Sequence, residues 1–423
     1  MASRWQLMFD ELTSRIADRF SRVEPRRRAR AMLLGLLAEL PRKNCWTLAE
    51  HAGDQTPDGM QHLLSRAVWD ADAVRDDLRD YVVEHLGQAG VVLVVDETGD
   101  LKKGRGTVGV QRQYTGTAGR IENSQVGVFL TYATATGHAL IDRELYLPGT
   151  WVGDQARRER AKVPAERRFA TKPELAAQMI GRALAAGICG WVTGDEVYGS
   201  STPLRTALEA SQVSYVMAVA SNHHITTAAG TRRAEEIVAR LPKTAWQRLS
   251  AGGGAKGQRY YDWALITIAS TEPGRRWLLI RRHRRTGELA FYRCYASDAV
   301  PLPVLVKVAG TRWRIEESFQ TGKGLTGLDE HQVRTWTSWY RWTTLVLFAH
   351  AFLAVVAARE RSDHNAEPSL VPMTLAEVQR LFTRLISVPI RSIAFVLHWS
   401  RWRRRHQARA RASHYARQVG YEQ

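Results

Sequence analysis

The feature that most constrains the fold is a run of apolar, strand-forming residues that ends in an acid and occurs twice. The first run, GVVLVVDETG, delivers Asp96, and the second, ICGWVTGDEVYG, delivers Asp195. Between them, KPELAAQMIGRALAAG has the periodicity of an amphipathic helix, with Thr171 as its N-cap. Strands that are apolar on both faces are typical of the centre of an α/β sheet. The sequence therefore predicts an α/β fold with both acids at the ends of adjacent central strands.

Positive charge dominates the chain. Its 423 residues include 60 Lys and Arg against 42 Asp and Glu, which gives a formal net charge of +18. Such a balance favours a polyanionic partner, either nucleic acid or an acidic membrane surface. Arg is far more frequent than Lys, which fits recognition of phosphate by guanidinium groups and fits a GC-rich genome equally well.

Several common classes of protein are disfavoured. The three cysteines are isolated and form no CxxC pair, which argues against a zinc finger and against a disulfide framework. The N-terminus lacks the apolar segment of a signal peptide. The longest apolar run, residues 345–358, is too short to span a bilayer and predicts a buried helix. We expect a cytoplasmic protein without a membrane partner.

The sequence pattern divides the chain into five segments. Its start is helical in period, short β-rich runs separated by Gly- or Arg-rich turns follow the second acid, and helical periodicity then returns. Within the first β region, NSQVGVFLTYATATGHALIDRELYLP predicts a hairpin. The predicted segments are a helical DNA-binding domain at 1–88, two parts of the α/β core at 89–213 and 301–362, a β-rich insertion at 214–300 and a basic helical C-terminal region at 363–423.

Both ends of the chain are candidates for DNA contact. The N-terminal helices have the lengths of a helix–turn–helix, although an ordinary helical bundle with a solvated basic face explains them as well. Basic residues suited to phosphate contact there are Arg26, Arg27, Arg28 and Arg30. In the tail, basic and aromatic residues alternate, which predicts a grip on the DNA backbone. Its candidate residues are Arg403, Arg404 and Arg405, interleaved with His406, His414 and Tyr415.

A third acid joins the two aspartates. In RWRIEESFQTGK, Arg312 lies four residues before Glu316, and Lys323 lies seven residues after it. At about 100° per residue these three side chains share one helix face. Ile315 and Phe319 would form a separate buried stripe. An intrahelical ion pair is the simple explanation, whereas a metal-binding acid beside two phosphate-binding cations is what phosphodiester chemistry needs.

The pattern resembles a known family at this point. The chain is similar to insertion-sequence transposases of the DDE superfamily, in the branch with a Y-x2-R-x3-E-x6-K signature. Arg312, Glu316 and Lys323 match the R-x3-E-x6-K part without gaps. VDETGDLKKG, QRQYTG, GDEVYG and WRRRHQARARASHY also look like blocks of that family, so the resemblance covers most of the chain. The resemblance implies an RNase H-like core that the β-rich insertion interrupts before the third acid.

One position departs from the signature. Its Tyr falls at position 309, which is Ala309 here. That Tyr supports a flipped base near the cut in some relatives, so cleavage through a DNA hairpin is not implied for this chain. Four tryptophans could stack on a base instead, although core packing is the expected role of each. They are Trp313, Trp336, Trp339 and Trp342.

The resemblance implies a metal-dependent mechanism. Asp96, Asp195 and Glu316 would be catalytic and would hold two Mg²⁺ ions, for which Mn²⁺ can substitute. Arg312 and Lys323 would bind the scissile or a neighbouring phosphate. In the loop after the first acid, further candidates for phosphate contact, with a solvated basic loop as the alternative, are Lys102, Lys103 and Arg105. The partners would be double-stranded DNA, as terminal inverted repeats and target, and a second copy of the chain in the synaptic complex.

Other functions explain parts of the sequence. A nuclease or resolvase on the same core would cut DNA without joining it. A non-catalytic DNA-binding regulator would account for the charge and the helical N-terminus, but would leave three acid blocks without a role. A carboxylate-pair hydrolase acting on sugars is disfavoured by the strong positive charge. We therefore expect a DNA transposase that works in the bacterial cytoplasm, in association with the nucleoid.

Overall fold

The computed structural model describes residues 2–254, 257–362, 371–386 and 392–419, with side chains as far as residue 413. Its helices are α1 Ala2–Arg15, α2 Val23–Leu37, α3 Cys45–Ala52, α4 Asp58–Ser65, α5 Ala71–Leu86, α6 Gly149–Val152, α7 Gln155–Arg160, α8 Lys172–Ala185, α9 Glu196–Gly199, α10 Thr202–Ala210, α11 Ala234–Val238, α12 Leu302–Thr311, α13 Trp313–Thr326, α14 Trp336–Ser362, α15 Leu375–Ile386 and α16 Ile393–Val419.

The strands are β1 Val92–Leu101, β2 Gln111–Thr115, β3 Arg120–Ala133, β4 His138–Leu145, β5 Trp191–Gly194, β6 Tyr215–Val219, β7 His224–Thr227, β8 Gly230–Arg233, β9 Gln247–Gly254, β10 Gly257–Thr267, β11 Arg275–Arg282 and β12 Leu289–Ala296. This content confirms a mixed α/β fold. The helical period predicted for the first segment and for the tail is observed in α1–α5 and α16.

A ten-stranded sheet organises the molecule. Its order is β2–β3–β1–β5–β6–β12–β11–β10–β9, and β4 pairs with β3. β1 runs antiparallel to β3 and parallel to β5, while β5 runs parallel to β6. The two acid-bearing strands are therefore central neighbours, as predicted. The predicted hairpin is β3–β4, paired antiparallel.

The helix before β5 forms where the sequence predicts it. The Thr171 hydroxyl accepts a hydrogen bond from the Glu174 backbone N–H, and the Glu174 carboxylate accepts one from the Thr171 backbone N–H, so α8 begins with a capping box. Its buried face includes Leu175, Met179 and Ile180. This helix packs on β3 and β4 and leads the chain into β5, which brings the second acid beside the first.

The main core connects the N-terminal helices with the sheet. The long helix α14 lies at its centre, and Phe352 of α14 packs edge-on against Phe9 of α1 with ring centroids 5.7 Å apart. Trp5 donates a hydrogen bond of 2.7 Å to Glu360 at the end of α14. Residues of α1–α5 thus belong to the same hydrophobic cluster as β1, β5 and α14. The five segment boundaries stay predictions.

One helix of the described residues, α14, is long and apolar enough to cross a membrane. It is longer than the apolar run 345–358, because the Trp-rich stretch before that run is also helical. Its most apolar window is entirely buried within the protein. The predicted buried helix is therefore confirmed, and burial alone accounts for its composition.

Most strands of residues 214–300 extend the ten-stranded sheet, while β7 and β8 pair antiparallel in a small sheet of their own. β6 pairs in parallel with β5, and β12, β11, β10 and β9 follow in antiparallel order. The face of these strands that lies away from the main core covers a second, smaller cluster, which includes Val219, Ile225 and Leu278. The sheet is thus continuous from β2, on one side of the acids, to β9 on the other.

Candidate functional site

A cleft of about 930 Å³ opens at the carboxyl ends of β1 and β5. Five residues singled out by the sequence line it together: Asp96, Asp195, Glu316, Arg312 and Lys323. They arrive from three places, namely β1, the turn after β5, and the helix α13 with the turn before it. The structure therefore brings into one cavity residues that are up to 227 positions apart in the chain.

Asp96 is the most buried of the three acids. It lies within β1, opposite Phe129 of β3, and the residue is 7% exposed. The prediction that Asp96 ends its strand is wrong, because β1 stays paired with β3 as far as Leu101. One carboxylate oxygen accepts a hydrogen bond of 2.8 Å from the backbone N–H of Glu97. Burial, together with the negative charges of Asp195, Glu97 and Glu316, raises the pKa of Asp96 well above its usual value.

Asp195 follows β5 and caps the short helix α9. Its carboxylate accepts a hydrogen bond of 2.9 Å from the Val197 N–H. Burial and then the charge of Glu97 raise the pKa of Asp195, while backbone N–H groups and Arg312 counteract that rise. The turn is tight, since a β-carbon at Gly199 would lie 1.7 Å from the carbonyl oxygen of Ala218.

Glu316 lies in the first turn of α13 and is exposed to the cleft. The opposite stripe of the helix is buried, with Ile315 at 0% and Phe319 at 5% exposure, as the spacing predicted. Gly322 and Gly324 do not end the helix, which continues to Thr326 and closes on Gly327 in the left-handed conformation. Lys323 is therefore on the same helix as Glu316.

Two cations flank the acids. Arg312 occupies the turn between α12 and α13, and its Nη1 lies 3.8 Å from Asp96 Oδ2. The Lys323 Nζ donates to the Gly99 carbonyl oxygen at 3.4 Å and to the Thr117 hydroxyl at 3.3 Å. Burial lowers the pKa of Lys323. Both cations are close enough to the acids to contact an anion that bridges the cleft.

A fourth carboxylate lines the cleft and was missed by the sequence analysis. Glu97 lines the cleft and accepts a hydrogen bond of 2.5 Å from the Tyr198 hydroxyl. Its other carboxylate oxygen forms an ion pair with Lys172 at 2.6 Å. Burial and the charge of Glu97 raise the pKa of Tyr198 well above its usual value. The available signal was the acid pair in VDETG and the Tyr in GDEVYG, which follow the two strands directly.

The far wall of the cleft was also missed. Residues of the β-rich strands contribute to it, among them Arg259, Tyr261, Arg281 and Tyr292. The available signal was the paired basic residues at the ends of RRWLLIRR and the aromatic residues at the start of RYYDWALIT. Which face would meet the acids could not be read from the sequence, because that depends on strand pairing across the chain.

The basic loop after the first acid lies outside the cleft. Lys102 forms an ion pair with Asp100 and donates a hydrogen bond of 3.0 Å to the His331 carbonyl oxygen. Its ammonium therefore has partners within the protein, and its contact with phosphate stays a prediction. Lys103 and Arg105 are exposed. Their contact with DNA stays a prediction.

The basic tail docks on the N-terminal helices. Arg403 pairs with Glu50 of α3, and Trp402 packs edge-on against Trp46 with ring centroids 4.8 Å apart. Arg403 therefore helps to hold α16 against α3, and its contact with DNA stays a prediction. The other two basic candidates, Arg404 and Arg405, are exposed. The side chains of His414 and Tyr415 lie outside the described residues.

The N-terminal arginines are mostly engaged within the protein. Arg28 pairs with Asp54 at 2.8 Å, and Arg30 pairs with Asp10 at 2.6 Å. A third, Arg26, donates a hydrogen bond to a backbone carbonyl, and Arg27 is exposed. These contacts stabilise packing between helices, so a helix–turn–helix that reads DNA stays a prediction.

The four tryptophans separate into two groups. Trp336, Trp339 and Trp342 are buried in the core at 7%, 3% and 1% exposure, which confirms core packing for these three. Trp313 is different, because it is 53% exposed and lines the cleft beside Glu316.

The acids offer oxygen ligands only, which is the donor set that hard divalent cations such as Mg²⁺ prefer. Burial first, and then the neighbouring negative charges, raise the pKa of Asp96 at this site. Among the described residues, the carboxylate oxygens of Asp96, Asp195 and Glu316 do not all lie within 4.8 Å of one another.

A rival cluster of potential ligands lies on the surface. Glu11, Glu84 and His85 place ligand atoms within 4.8 Å of one another. Arg15 already pairs with both glutamates. It is explained by pairing between α1 and α5.

Comparison with known families supports the reading of the cleft. A profile described as DDE superfamily endonuclease matches residues 15–237, and a profile described as transposase DDE domain matches residues 178–352. The first includes Asp96 and Asp195, and the second includes Asp195 and Glu316. Proteins of this superfamily generally depend on divalent metal ions, in agreement with the donor set.

Two individual proteins are similar to parts or all of the chain. A probable transposase for insertion sequence element IS701 of Microchaete diplosiphon is 30% identical over 195 residues, which is 45% of this chain and 48% of that protein. The match thus spans about half the length of this relative. A piggyBac transposase, determined by cryo-EM as a synaptic complex with hairpin DNA, aligns with 94% of this chain and 84% of its own at 11% identity and a TM-score of 0.47. That structural similarity is too loose to carry conclusions. The profile that covers more than half of the chain identifies it as a member of the DDE superfamily of endonucleases.

Proposed function

We propose that this chain is a DNA transposase that cuts and joins DNA at Asp96, Asp195 and Glu316. The observation that carries the proposal is the meeting of these acids, from β1, β5 and α13, in one cleft beside Arg312 and Lys323. Strand order supports an RNase H-like core, since β4, β3 and β1 are antiparallel and β5 and β6 continue parallel to β1.

The residues that would hold two Mg²⁺ ions are Asp96, Asp195 and Glu316, and Mn²⁺ would substitute. When bound, the ions supply Lewis-acid activation of a water or a 3′-OH and stabilise charge on the leaving oxygen. The spread of the three carboxylates supports two ions over one. Binding would remove the mutual repulsion that raises the pKa of Asp96.

The chain's own cations would orient the phosphate. Arg312 extends to within 3.8 Å of Asp96 from the turn before α13, so its guanidinium would contact a phosphate bound at that acid. Lys323 would approach the same group from the β1 and β2 side. Glu97 would stay outside the metal ligands, because Lys172 and Tyr198 occupy its two oxygens.

The proposed partner is double-stranded DNA, as inverted repeats and as target. The IS701 relative is a probable transposase of an insertion sequence, and the net charge of +18 favours the same kind of partner. Exposed basic residues of the tail would add affinity that does not depend on sequence. Pairing two DNA ends implies a homodimer in the working complex. The proposed location is the bacterial cytoplasm, at the nucleoid.

We propose that DNA cleavage by this chain does not require the tyrosine of the family signature. Ala309 is 7% exposed and lines the cleft without an aromatic ring. Trp313, 53% exposed at the same cleft, is the candidate for stacking on an unpaired base. No covalent intermediate between protein and DNA is required.

The test is a plasmid excision and integration assay with Mg²⁺. Wild type is compared with Asp96→Asn, Asp195→Asn and Glu316→Gln, each expected to lose cleavage and joining while binding DNA. Matched controls remove an exposed acid outside the cleft, namely Asp298→Asn and Glu235→Gln, and are expected to act as wild type. Normal transposition by any of the three cleft variants would refute its catalytic role.

The same assay separates the alternatives. A nuclease or resolvase would release cut DNA without joined products. A regulator would bind DNA and give no cut product with Mg²⁺ or Mn²⁺. Joined products that disappear together in the three cleft variants exclude both.

A further inference from the structure

The wall of the cleft that faces the acids is formed by β10, β11 and β12. On β11, Trp277 and Leu279 belong to the main core, whereas Leu278 and Ile280 belong to the smaller core on the other side of the sheet. Alternation along the strand places Arg281 on the side of the main core and the cleft, and Arg282 on the opposite side. Arg281 indeed lines the cleft.

The neighbours of Arg281 hold its guanidinium and leave it room. It is paired with Trp263 of β10 and with Ala290 of β12. The methyl group of Ala290 fills little space, so one flank stays open to the cleft. On the other flank, the guanidinium carbon lies 4.8 Å from the centroid of the Tyr261 ring, which fixes its plane by a cation–π contact.

No protein acceptor serves this guanidinium. Among the residues that the structure describes, Arg281 has no carboxylate within 4.0 Å and no hydrogen-bond acceptor, and its buried Nε is unpaired. The neighbouring Arg259 differs, because its Nη2 donates to the carbonyl oxygens of Ala251 and Gly310, both at 3.0 Å. Leaving a half-buried charged donor without an acceptor is costly. The guanidinium of Arg281 is therefore free to contact an anion that enters the cleft.

Arg281 and Arg312 line the same cleft, together with Tyr292. Burial raises the pKa of Tyr292, and the positive charges of Arg281 and Arg312 oppose that rise. Lys323 contacts Gly99 and Thr117, on the β1 and β2 side of the acids. The cleft thus has cations on both sides of its carboxylates.

We propose that Arg281 binds a backbone phosphate of DNA in the cleft, on the side of the acids opposite Lys323. This inference rests on the proposed function and assigns the β-rich strands a share in holding the substrate. A guanidinium presents paired N–H donors that match two phosphate oxygens. Stacking on Tyr261 orients that fork before DNA arrives, so little side-chain freedom is lost on binding.

The test is a crosslink that reports position and does not require catalysis. Arg281→Cys is made in a Cys189→Ser background, because Cys189 is the exposed native thiol, while Cys45 is half-buried and Cys294 is buried. The probe is a short blunt duplex whose phosphates near one end carry a disulfide-activated tether. The matched control, Arg282→Cys, loses the same charge from the next residue on the opposite face. All reactions contain EDTA.

Arg281→Cys is expected to form the protein–DNA disulfide several-fold faster than Arg282→Cys at equal melting temperature. In a salt titration with the same duplex lacking the tether, Arg281→Gln is expected to reduce the slope of log affinity against log salt by about 0.9, the value for one phosphate contact. Arg282→Gln should leave the slope unchanged.

Equal crosslinking of the two cysteine variants, or equal salt slopes of the two glutamine variants, would overturn the assignment of Arg281. Failure of the proposed function has a different readout, because wild type would then give no cut DNA in the cleavage assay with Mg²⁺. Because the crosslink is formed without metal, a chain that binds DNA at Arg281 but does not cut it would still give the Arg281 product.

Discussion

Replacing Gly310 by Ala tests how the β-rich strands set the geometry of the cleft. Gly310 lies in α12, where this helix packs on β9. A β-carbon there would lie 2.0 Å from the carbonyl oxygen of Ala251 and 2.8 Å from its carbonyl carbon, whereas real β-carbons do not come closer than 3.0 Å. Both contacts are with backbone, so no change of rotamer relieves them. The helix and the strand must separate by at least about 1 Å.

That separation would reach the site directly. Arg259 donates to the carbonyl oxygens of Ala251 and Gly310 and so joins β9 to the end of α12, and Arg312 follows Gly310 by two residues. A displacement of about 1 Å in a positioning group costs on the order of 100-fold in rate. Overpacking of this kind costs about 1–3 kcal/mol in the free energy of unfolding.

The assay is DNA cleavage with Mg²⁺, with urea unfolding of the same preparations. The matched control is Gly324→Ala, since a β-carbon at this α13 position meets nothing within 4 Å. That change is expected to preserve cleavage and to stabilise by about 0.4–1 kcal/mol through the unfolded state. If Gly310→Ala cleaves as wild type does and unfolds at the same urea concentration, the contact between α12 and β9 does not position Arg312.

Three further predictions concern stability. Burial and neighbouring acids raise the pKa of Asp96, so its negative charge destabilises the folded protein once pH exceeds the unfolded pKa of about 3.8. At neutral pH without metal, Asp96→Asn is therefore expected to raise the melting temperature. A lower melting temperature would contradict this prediction. Hydrogen bonds from His138 and Arg314 lower the pKa of Glu317 to about 2. In urea unfolding, wild type should therefore be more stable than Glu317→Gln by about 1 kcal/mol after allowance for solvent screening. This difference in the free energy of unfolding should be present above the unfolded pKa of 4.5 and should vanish as pH falls towards 2. A difference that does not change with pH would refute the prediction. Leu353→Ala, at a fully buried position of α14, should cost about 2–5 kcal/mol in the same assay, and a cost below about 1 kcal/mol would show that α14 is not tightly packed.

Local patterns predicted the part of the site that depends on local structure. The apolar runs before Asp96 and Asp195 are long enough to specify buried strands, and the seven-residue spacing of Glu316 and Lys323 places both on α13. Arg312, expected on the same helix, lies in the turn just before it. Ile315 and Phe319 then fix which way the helix turns, because their burial against the core directs Glu316 outwards. None of these steps requires knowledge of distant pairing.

The remaining features depend on contacts between distant parts of the chain. Lys102 is drawn away from the cleft by Asp100 and the His331 carbonyl, and Arg403 by Glu50. A sequence shows the charge of such residues but not their partners, so exposed and committed cations look alike. The position of Arg281 likewise depends on the order in which β12, β11 and β10 join the sheet.

The distribution of charge in the cleft links its stability to its chemistry. Lys172 is directed to Glu97 and Lys323 to Gly99 and Thr117, so Asp96 has only Arg312, at 3.8 Å, as a cationic neighbour within ion-pair distance among the described residues. The fold therefore maintains a buried acid at an energetic cost that bound cations would remove. Arg259 joins β9 to the end of α12, two residues before Arg312. A phosphate held by the β-rich strands would therefore affect the position of the Arg312 guanidinium. Metal and DNA are then expected to bind cooperatively, because each stabilises the charge arrangement that the other requires.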